Sequence, residues 1–230
     1  MQDRPFLVDF DPVALDLGWF QIHWYGISYL LAFLTAWWLM RLRADQPQWP
    51  ITREQVGDYL FWGIIGVIVG GRLGYVLFYG LDRWANDPWF PLRIQDGGMS
   101  FHGGVIGVLV AMAWFARHHK IPFLKLGDFT AMVVPIGLAL GRLANFIGGE
   151  LWGRLSDAPW AMIFPQSLSA AMADPTALRL AWEQGQLNEF ARHPSQLYQA
   201  ALEGILLFVI VWLFAAKPRP SGAVGGLFLA

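Results

Sequence analysis

Long apolar runs separated by short basic loops dominate the chain. A helix that crosses the hydrocarbon core of a bilayer needs roughly 17–25 mostly apolar residues, and residues 19–40, 56–79, 99–116 and 129–147 each supply such a run. A fifth, residues 197–216, follows a polar insert at 149–196 that contains Pro159, Pro165, Pro175 and Pro194. The insert is too polar to span and too long for a turn, so it reads as a small head domain. A sixth apolar run begins at Gly222 and reaches Ala230, which is too short to cross and reads as truncated within a membrane helix. The expected architecture is therefore all-α: a polytopic transmembrane helical bundle with a small extracytoplasmic head insert. Its parts are an N-terminal arm with helices 1–4 over residues 1–148, the head over 149–196, and a fifth helix with the start of a sixth over 197–230.

Basic residues in short loops set orientation. Arg41, Arg43, Arg53, Arg117, Lys120, Lys125, Lys217 and Arg219 all fall in alternate connections, which are expected to be cytoplasmic. The N-terminus and the head insert then lie outside. Residues 1–16 are acidic, contain proline and lack a basic n-region, so they do not read as a cleaved signal peptide.

Composition sharpens the class. The chain is 56% hydrophobic and 14% charged, with thirteen Trp and seventeen Phe, many near the ends of apolar runs as in an interfacial belt. A net charge of −1 argues against a nucleic-acid partner. With no cysteine, the chain has no disulfide, thiolate metal site or cysteine nucleophile of its own. Glycines recur at helical spacing, as in Gly66, Gly70 and Gly74, in Gly103 and Gly107, and in Gly137 and Gly141. Such spacing lets helices approach closely in lipid. No long repeat supports an inverted-repeat transporter.

Candidate chemistry lies in the polar residues of apolar runs. An arginine at the centre of a membrane helix costs roughly 2.5–3.5 kcal/mol on insertion scales, so it usually faces the bundle interior or a water-filled cavity. Arg72 and Arg142 are both so placed. Arg142 and Asn145 share a helical face, and Glu150 follows where the helix leaves the apolar run. Snorkelling, or pairing of Arg142 with an acid such as Glu203, is the structural alternative. His102 sits among glycines in Asp96-Gly-Gly-Met-Ser-Phe-His-Gly-Gly104, where a residue that titrates near neutrality suits proton abstraction. A lone histidine at a helix end also serves as a hydrogen-bonded structural residue. His23 and Tyr25 stand at comparable depth, whereas His118 and His119 read as a solvated basic face. No His-x-x-x-His, His-Glu-x-x-His or Gly-x-Ser-x-Gly occurs, which disfavours a zinc protease and a serine hydrolase. What remains is an outer-leaflet pocket suited to an anionic phospholipid head group. A phospholipid-binding transporter or scramblase without covalent chemistry would use the same features.

Five ordered blocks carry a resemblance: His23-Trp-Tyr-Gly26, Gly70-Gly-Arg-Leu-Gly-Tyr-Val-Leu-Phe-Tyr79, Asp96 to Gly104, Gly141-Arg-Leu-Ala-Asn-Phe-Ile-Gly-Gly-Glu150 and Arg192-His-Pro-Ser-Gln-Leu-Tyr198. Together they resemble the bacterial phosphatidylglycerol–prolipoprotein diacylglyceryl transferase family, over essentially the whole chain. The resemblance implies a multi-pass enzyme of the bacterial inner membrane with a periplasmic head, needing no cofactor and no metal. Its partners would be phosphatidylglycerol, the lipobox cysteine of a prolipoprotein signal peptide, and the surrounding membrane lipids. The products would be a thioether and glycerol phosphate.

By the same resemblance His102, Tyr25 and Arg142 are the expected catalytic residues. Arg142, Asn145, Glu150, Gly153 and Gly103 are the expected substrate-binding ones. His102 would deprotonate the thiol, Arg142 would hold the phosphate, Asn145 and Tyr25 would position the substrate, Glu150 would orient Arg142 or a neighbouring cation, and Gly153 would give clearance. Two positions depart from the family pattern: Gly148 replaces an asparagine, and Gln199 replaces an acid. The family pattern also runs on past Ala230 and includes a further functional arginine, so the 230 residues alone are expected to be inactive.

Overall fold

The computed structural model describes residues 4–168 and 174–230, so residues 1–3 of the N-terminal arm and 169–173 of the expected head lie outside the described residues. In chain order the main elements are β1 (Phe6–Leu7), β2 (Val13–Asp16), β3 (Gln21–His23), α1 (Trp24–Arg43), α2 (Arg53–Tyr79), α3 (Leu81–Asn86), α4 (Phe101–His118), α5 (Phe123–Ala131), α6 (Val134–Ile147), β4 (Met162–Ile163), α7 (Pro175–Glu183), α8 (Ser195–Gln199), a π-helical turn (Ala200–Leu206), α9 (Leu207–Phe214) and α10 (Ala223–Leu229). The chain is predominantly helical with a few short strands, as expected for a helical membrane protein.

Among the described residues, two helices are long and apolar enough to cross a membrane by themselves: α2, and the continuous run Ser195–Phe214 made of α8, the π turn and α9. The α5 and α6 pair qualifies as a third crossing when taken together. Its break at Met132 and Val133 follows from Pro135, which has no N–H to give the Ala131 carbonyl and whose ring would strike it, yet is tolerated in a first turn. Helices α1 and α4 have 20 and 18 residues but are not among the qualifying spans, and both end in basic residues. The first expected span also starts too early, because residues 21–23 belong to a hairpin with β2 and the preceding turn holds 17–20.

The chain divides into two compact units. The first comprises Met1–Ala36 and Val133–Trp212. Here β1 runs parallel to β4. Ile163, Leu178, Ala181 and Leu187 form a small hydrophobic core, against which Leu7 and Trp182 pack. The Trp182 indole donates to the Pro5 carbonyl at 2.9 Å, so the N-terminal arm is tied to α7. The hairpin of β2 and β3 turns at Gly18, whose φ of +81° suits a residue without Cβ. The Asp16 carboxylate accepts from the Gly18 N–H at 2.7 Å and from Gln21 at 3.0 Å, and these donors hold it below the usual carboxylate range. The hairpin feeds directly into α1, and the Trp24 N–H donates to the Pro12 carbonyl at 3.0 Å. The π turn packs on α6 through Gly204, where a Cβ would lie 2.8 Å from the Ala139 Cα.

The second unit comprises Trp37–Met132 and Leu213–Ala230. Its backbone is the pairing of α2 with α4 through glycines on both helices. A Cβ at Gly66 would lie 2.6 Å from the Gly107 carbonyl oxygen, and one at Gly74 would lie 2.7 Å from the Gly103 Cα. The close-packing reading holds for Gly66, Gly70, Gly74, Gly103 and Gly107, which form this seam, but not for Gly141, where a Cβ would meet nothing within 4 Å among the described residues. His119 departs from the solvated-face reading: its Nδ1 lies 3.1 Å from the Gln55 amide, and its ring packs on Phe115. Asp128, which drew no attention in the sequence, is buried in α5 and accepts from the Gly222 and Gly225 N–H groups at 2.8 Å each. It thereby caps the N-terminus of α10 from another helix.

Candidate active site

Helix α6 carries Arg142 and Asn145 on neighbouring faces of its last turns and ends at Ile147. Arg142 is half-buried, and its guanidinium makes no hydrogen bond or ion pair among the described residues. Neither Glu150 nor Glu203 forms an ion pair with it there, so the pairing alternative is not realised and Glu150 does not orient Arg142 by direct contact. Asn145 is buried at 8% exposure, while its carbonyl accepts from the Glu150 N–H at 2.9 Å. The chain thus folds back at the end of α6, which brings the Glu150 backbone against Asn145.

That fold-back is held from the start of α8. Gly149 and Leu151 both have positive φ, +66° and +57°. The φ of Gly149 favours a residue without Cβ, and any Cβ there would also oblige the Gln166 amide to move. The left-handed conformation is uncommon for leucine, and side chains of the Arg192 to Tyr198 motif secure it. Buried Gln196 donates to the Glu150 carbonyl at 2.5 Å, and the Ser195 hydroxyl donates to the Leu151 carbonyl at 2.8 Å. The Gly153 N–H donates to the His193 carbonyl at 2.9 Å, and a Cβ on Gly153 would lie 2.8 Å from that oxygen. Gly153 therefore permits the loop to press against His193. His193 Nδ1 lies 3.0 Å from the Tyr198 hydroxyl, which accepts from the Trp160 indole at 2.7 Å.

Tyr25 occupies the first turn of α1, directly after the hairpin. Its hydroxyl lies 3.4 Å from that of Tyr29, and it is within electrostatic reach of Glu150 and Arg142. Tyr25, Arg142, Asn145, Glu150 and Gly153 therefore all belong to the first unit. In the second unit His102 stands exposed in the first turn of α4, with its ring edge-on to Phe101. The hydroxyl of Ser100 accepts from the Gly103 N–H at 3.2 Å and caps that turn. Gly103, expected at the substrate, faces the carbonyl of Gly70 and the Cα of Gly74 in the helix seam.

A half-buried cation, an amide and a phenol suit a phosphate ester, and the whole chain can be set beside known proteins. A family model described as Prolipoprotein diacylglyceryl transferase matches residues 12–230. The chain belongs to that family. The resemblance read from the five motifs is thereby borne out. The chain is 47% identical to the phosphatidylglycerol–prolipoprotein diacylglyceryl transferase of Xanthomonas campestris pv. campestris (strain B100), over 97% of this chain and 76% of that one. It is 50% identical to the enzyme of the same name from Serratia proteamaculans (strain 568), over 96% of this chain and 77% of that one. The enzyme of that name from Pseudoalteromonas atlantica (strain T6c / ATCC BAA-1087) is 48% identical, over 95% and 70%. As a member of the diacylglyceryl transferase family, the chain is a membrane transferase.

Two supports of the site were missed in the sequence. In the sequence Gln196 and Ser195 stand only within the Arg192 to Tyr198 motif, whereas the structure makes them the clasp of the Glu150 loop. Their signal was present in the run of Ser, Gln and Tyr at the start of an apolar helix, where polar side chains have nearby carbonyls to bind.

Proposed function

We propose that the chain transfers the diacylglyceryl group of phosphatidylglycerol to the thiol of a lipobox cysteine on a prolipoprotein. The sulfur attacks the glyceryl carbon that bears the phosphate ester. A C–S bond forms, the C–O bond breaks, and glycerol phosphate departs with the bonding electrons. The observation that carries this reading is Arg142, a half-buried cation in an apolar helix with no anionic partner among the described residues. Arg142 binds the phosphate through its planar fork and stabilises charge on the departing oxygen. Asn145 and Tyr25 position the glyceryl phosphate, Glu150 shapes the field around them, and Gly153 provides clearance beside the loop. The reaction is placed at the outer leaflet of the bacterial inner membrane, with the N-terminus and residues 149–196 periplasmic, in agreement with the lysines and arginines of the alternate loops.

His102 takes the thiol proton. A free thiol with a pKa of about 8.5 is only slightly ionised at neutral pH, so a positioned base is worth about 10²–10⁴-fold. The test is turnover of the His102→Gln enzyme, in its full-length form, with phosphatidylglycerol and a lipobox peptide. A drop of at least about 10²-fold is expected. Near-normal turnover removes His102 as an essential base and leaves Tyr25, or a water held by Glu150, for that role.

A further inference from the structure

Arg72 sits in the C-terminal third of α2, about two turns from its end, with only 3% of its surface exposed. Its guanidinium donates to five backbone carbonyls of one segment: Nε to Pro91 at 3.1 Å, Nη2 to Phe90 at 2.6 Å and Arg93 at 2.8 Å, and Nη1 to Gly98 at 3.2 Å and to Gly97. One flat face lies over the Phe90 ring, 4.7 Å from its centre. No carboxylate pairs with it among the described residues. A buried cation without a counter-ion persists only where oriented dipoles replace its water. Here the carbonyls of residues 90–98 do so. Gly97 and Gly98, at φ of +74° and +86°, let successive carbonyls turn toward one cation.

That segment leads straight into the first turn of α4. The Ser100 N–H donates to the carbonyl of Gly71, the neighbour of Arg72, at 2.8 Å. Ser100 in turn caps the helix whose second residue is His102. A chain of contacts thus runs from Arg72 through residues 90–98 to Ser100 and the Cα of His102.

We infer that Arg72 is a positioning residue for the transfer reaction, fixing where His102 presents its imidazole. The inference rests on the reading of His102 as the base that takes the thiol proton. Arg72 has donors at three nitrogens in one plane and no contact with the reacting groups is required of it. Lysine offers a single point of charge and cannot serve five carbonyls spread around a fork.

The test is a double-mutant cycle in the full-length enzyme reconstituted with phosphatidylglycerol and a lipobox peptide. Misplacement of a reacting group by about 1 Å costs on the order of 10²-fold, so Arg72→Gln should lower kcat by about that factor. Arg72→Lys should restore little of it, and KM for phosphatidylglycerol should stay within about threefold. In the His102→Gln background the Arg72→Gln change should add almost nothing, because it acts through a group already removed. Losses that multiply in the double variant, or an unchanged kcat in Arg72→Gln, overturn the inference. If His102→Gln alone turns over normally, it is the reading of His102 as base that falls. Where Arg72→Gln yields no monodisperse enzyme, Ser100→Ala carries the same cycle, with a kcat loss that again disappears in the His102→Gln background if the inference holds and multiplies if it does not.

Discussion

Turnover of phosphatidylglycerol should fall by about 10²–10³-fold when Arg142 is replaced by Gln, the scale on which a donor to developing negative charge contributes to catalysis. The physical ground is the environment of the residue. Arg142 is half-buried in an apolar helix, and among the described residues its guanidinium has neither an ion pair nor a hydrogen bond. Such a cation is costly to keep in lipid, and an anionic substrate offsets that cost when it binds. Arg142→Lys keeps the charge and loses the fork, so it should retain part of the binding and little of the rate. The check is steady-state kinetics with phosphatidylglycerol as the varied substrate. Unchanged kcat and KM in Arg142→Lys would show that the phosphate is not held by two parallel hydrogen bonds.

The second large effect is on stability. Gly107→Ala should cost roughly 1–3 kcal/mol by overpacking, since the added methyl would meet the Gly66 carbonyl and, at 3.0 Å, the Gly70 Cα. These are backbone atoms of α2, so relief requires the two helices to separate along their seam. Gly57→Ala is the matched control, because a Cβ there meets nothing within 4 Å. Replacing that helical glycine should raise stability by about 0.4–1 kcal/mol. Thermal unfolding in one detergent checks both. Equal behaviour of the two variants would mean that the α2 and α4 seam is looser than the glycine contacts require.

Both arginines carried the same signal in the sequence, a cation amid apolar residues, and only the structure separates them. Arg72 gives all its donors to backbone carbonyls, whereas Arg142 makes no hydrogen bond among the described residues. The carbonyl knot depends on how residues 90–98 fold back, and no local pattern encodes that return, although the Gly97-Gly98 pair marks where the backbone can turn. The helices were legible because apolar runs of bilayer length have few alternatives to a helix. Their ends were less so: Trp19 and Phe20 are apolar but sit in a hairpin turn set by Asp16 and Gly18. The run 129–147 reads as one helix in the sequence, whereas the structure breaks it before Pro135, and the π turn at Ala200–Leu206 lies where Gly204 meets Ala139 on a distant helix. Asp128 was invisible for the same reason, since its partners Gly222 and Gly225 lie more than ninety residues away.

Within the candidate site, Arg142 is legible as a cation inside an apolar run, and Tyr25, Asn145 and Glu150 as polar residues near the ends of such runs. The clasp by Ser195 and Gln196 was not, because it joins segments separated by 44 and 46 residues. Gly103 shows the opposite case, a residue expected at the substrate whose environment in the structure is the helix seam.

The central claim is that a thiol displaces glycerol phosphate from phosphatidylglycerol at this site. It is tested most directly by reconstituting the full-length enzyme with phosphatidylglycerol and a lipobox peptide carrying either Cys or Ser, and measuring released glycerol phosphate against modified peptide. One glycerol phosphate per thioether is expected with the Cys peptide and none with the Ser peptide. Equal modification of Ser, or release of glycerol phosphate without any peptide, would contradict it.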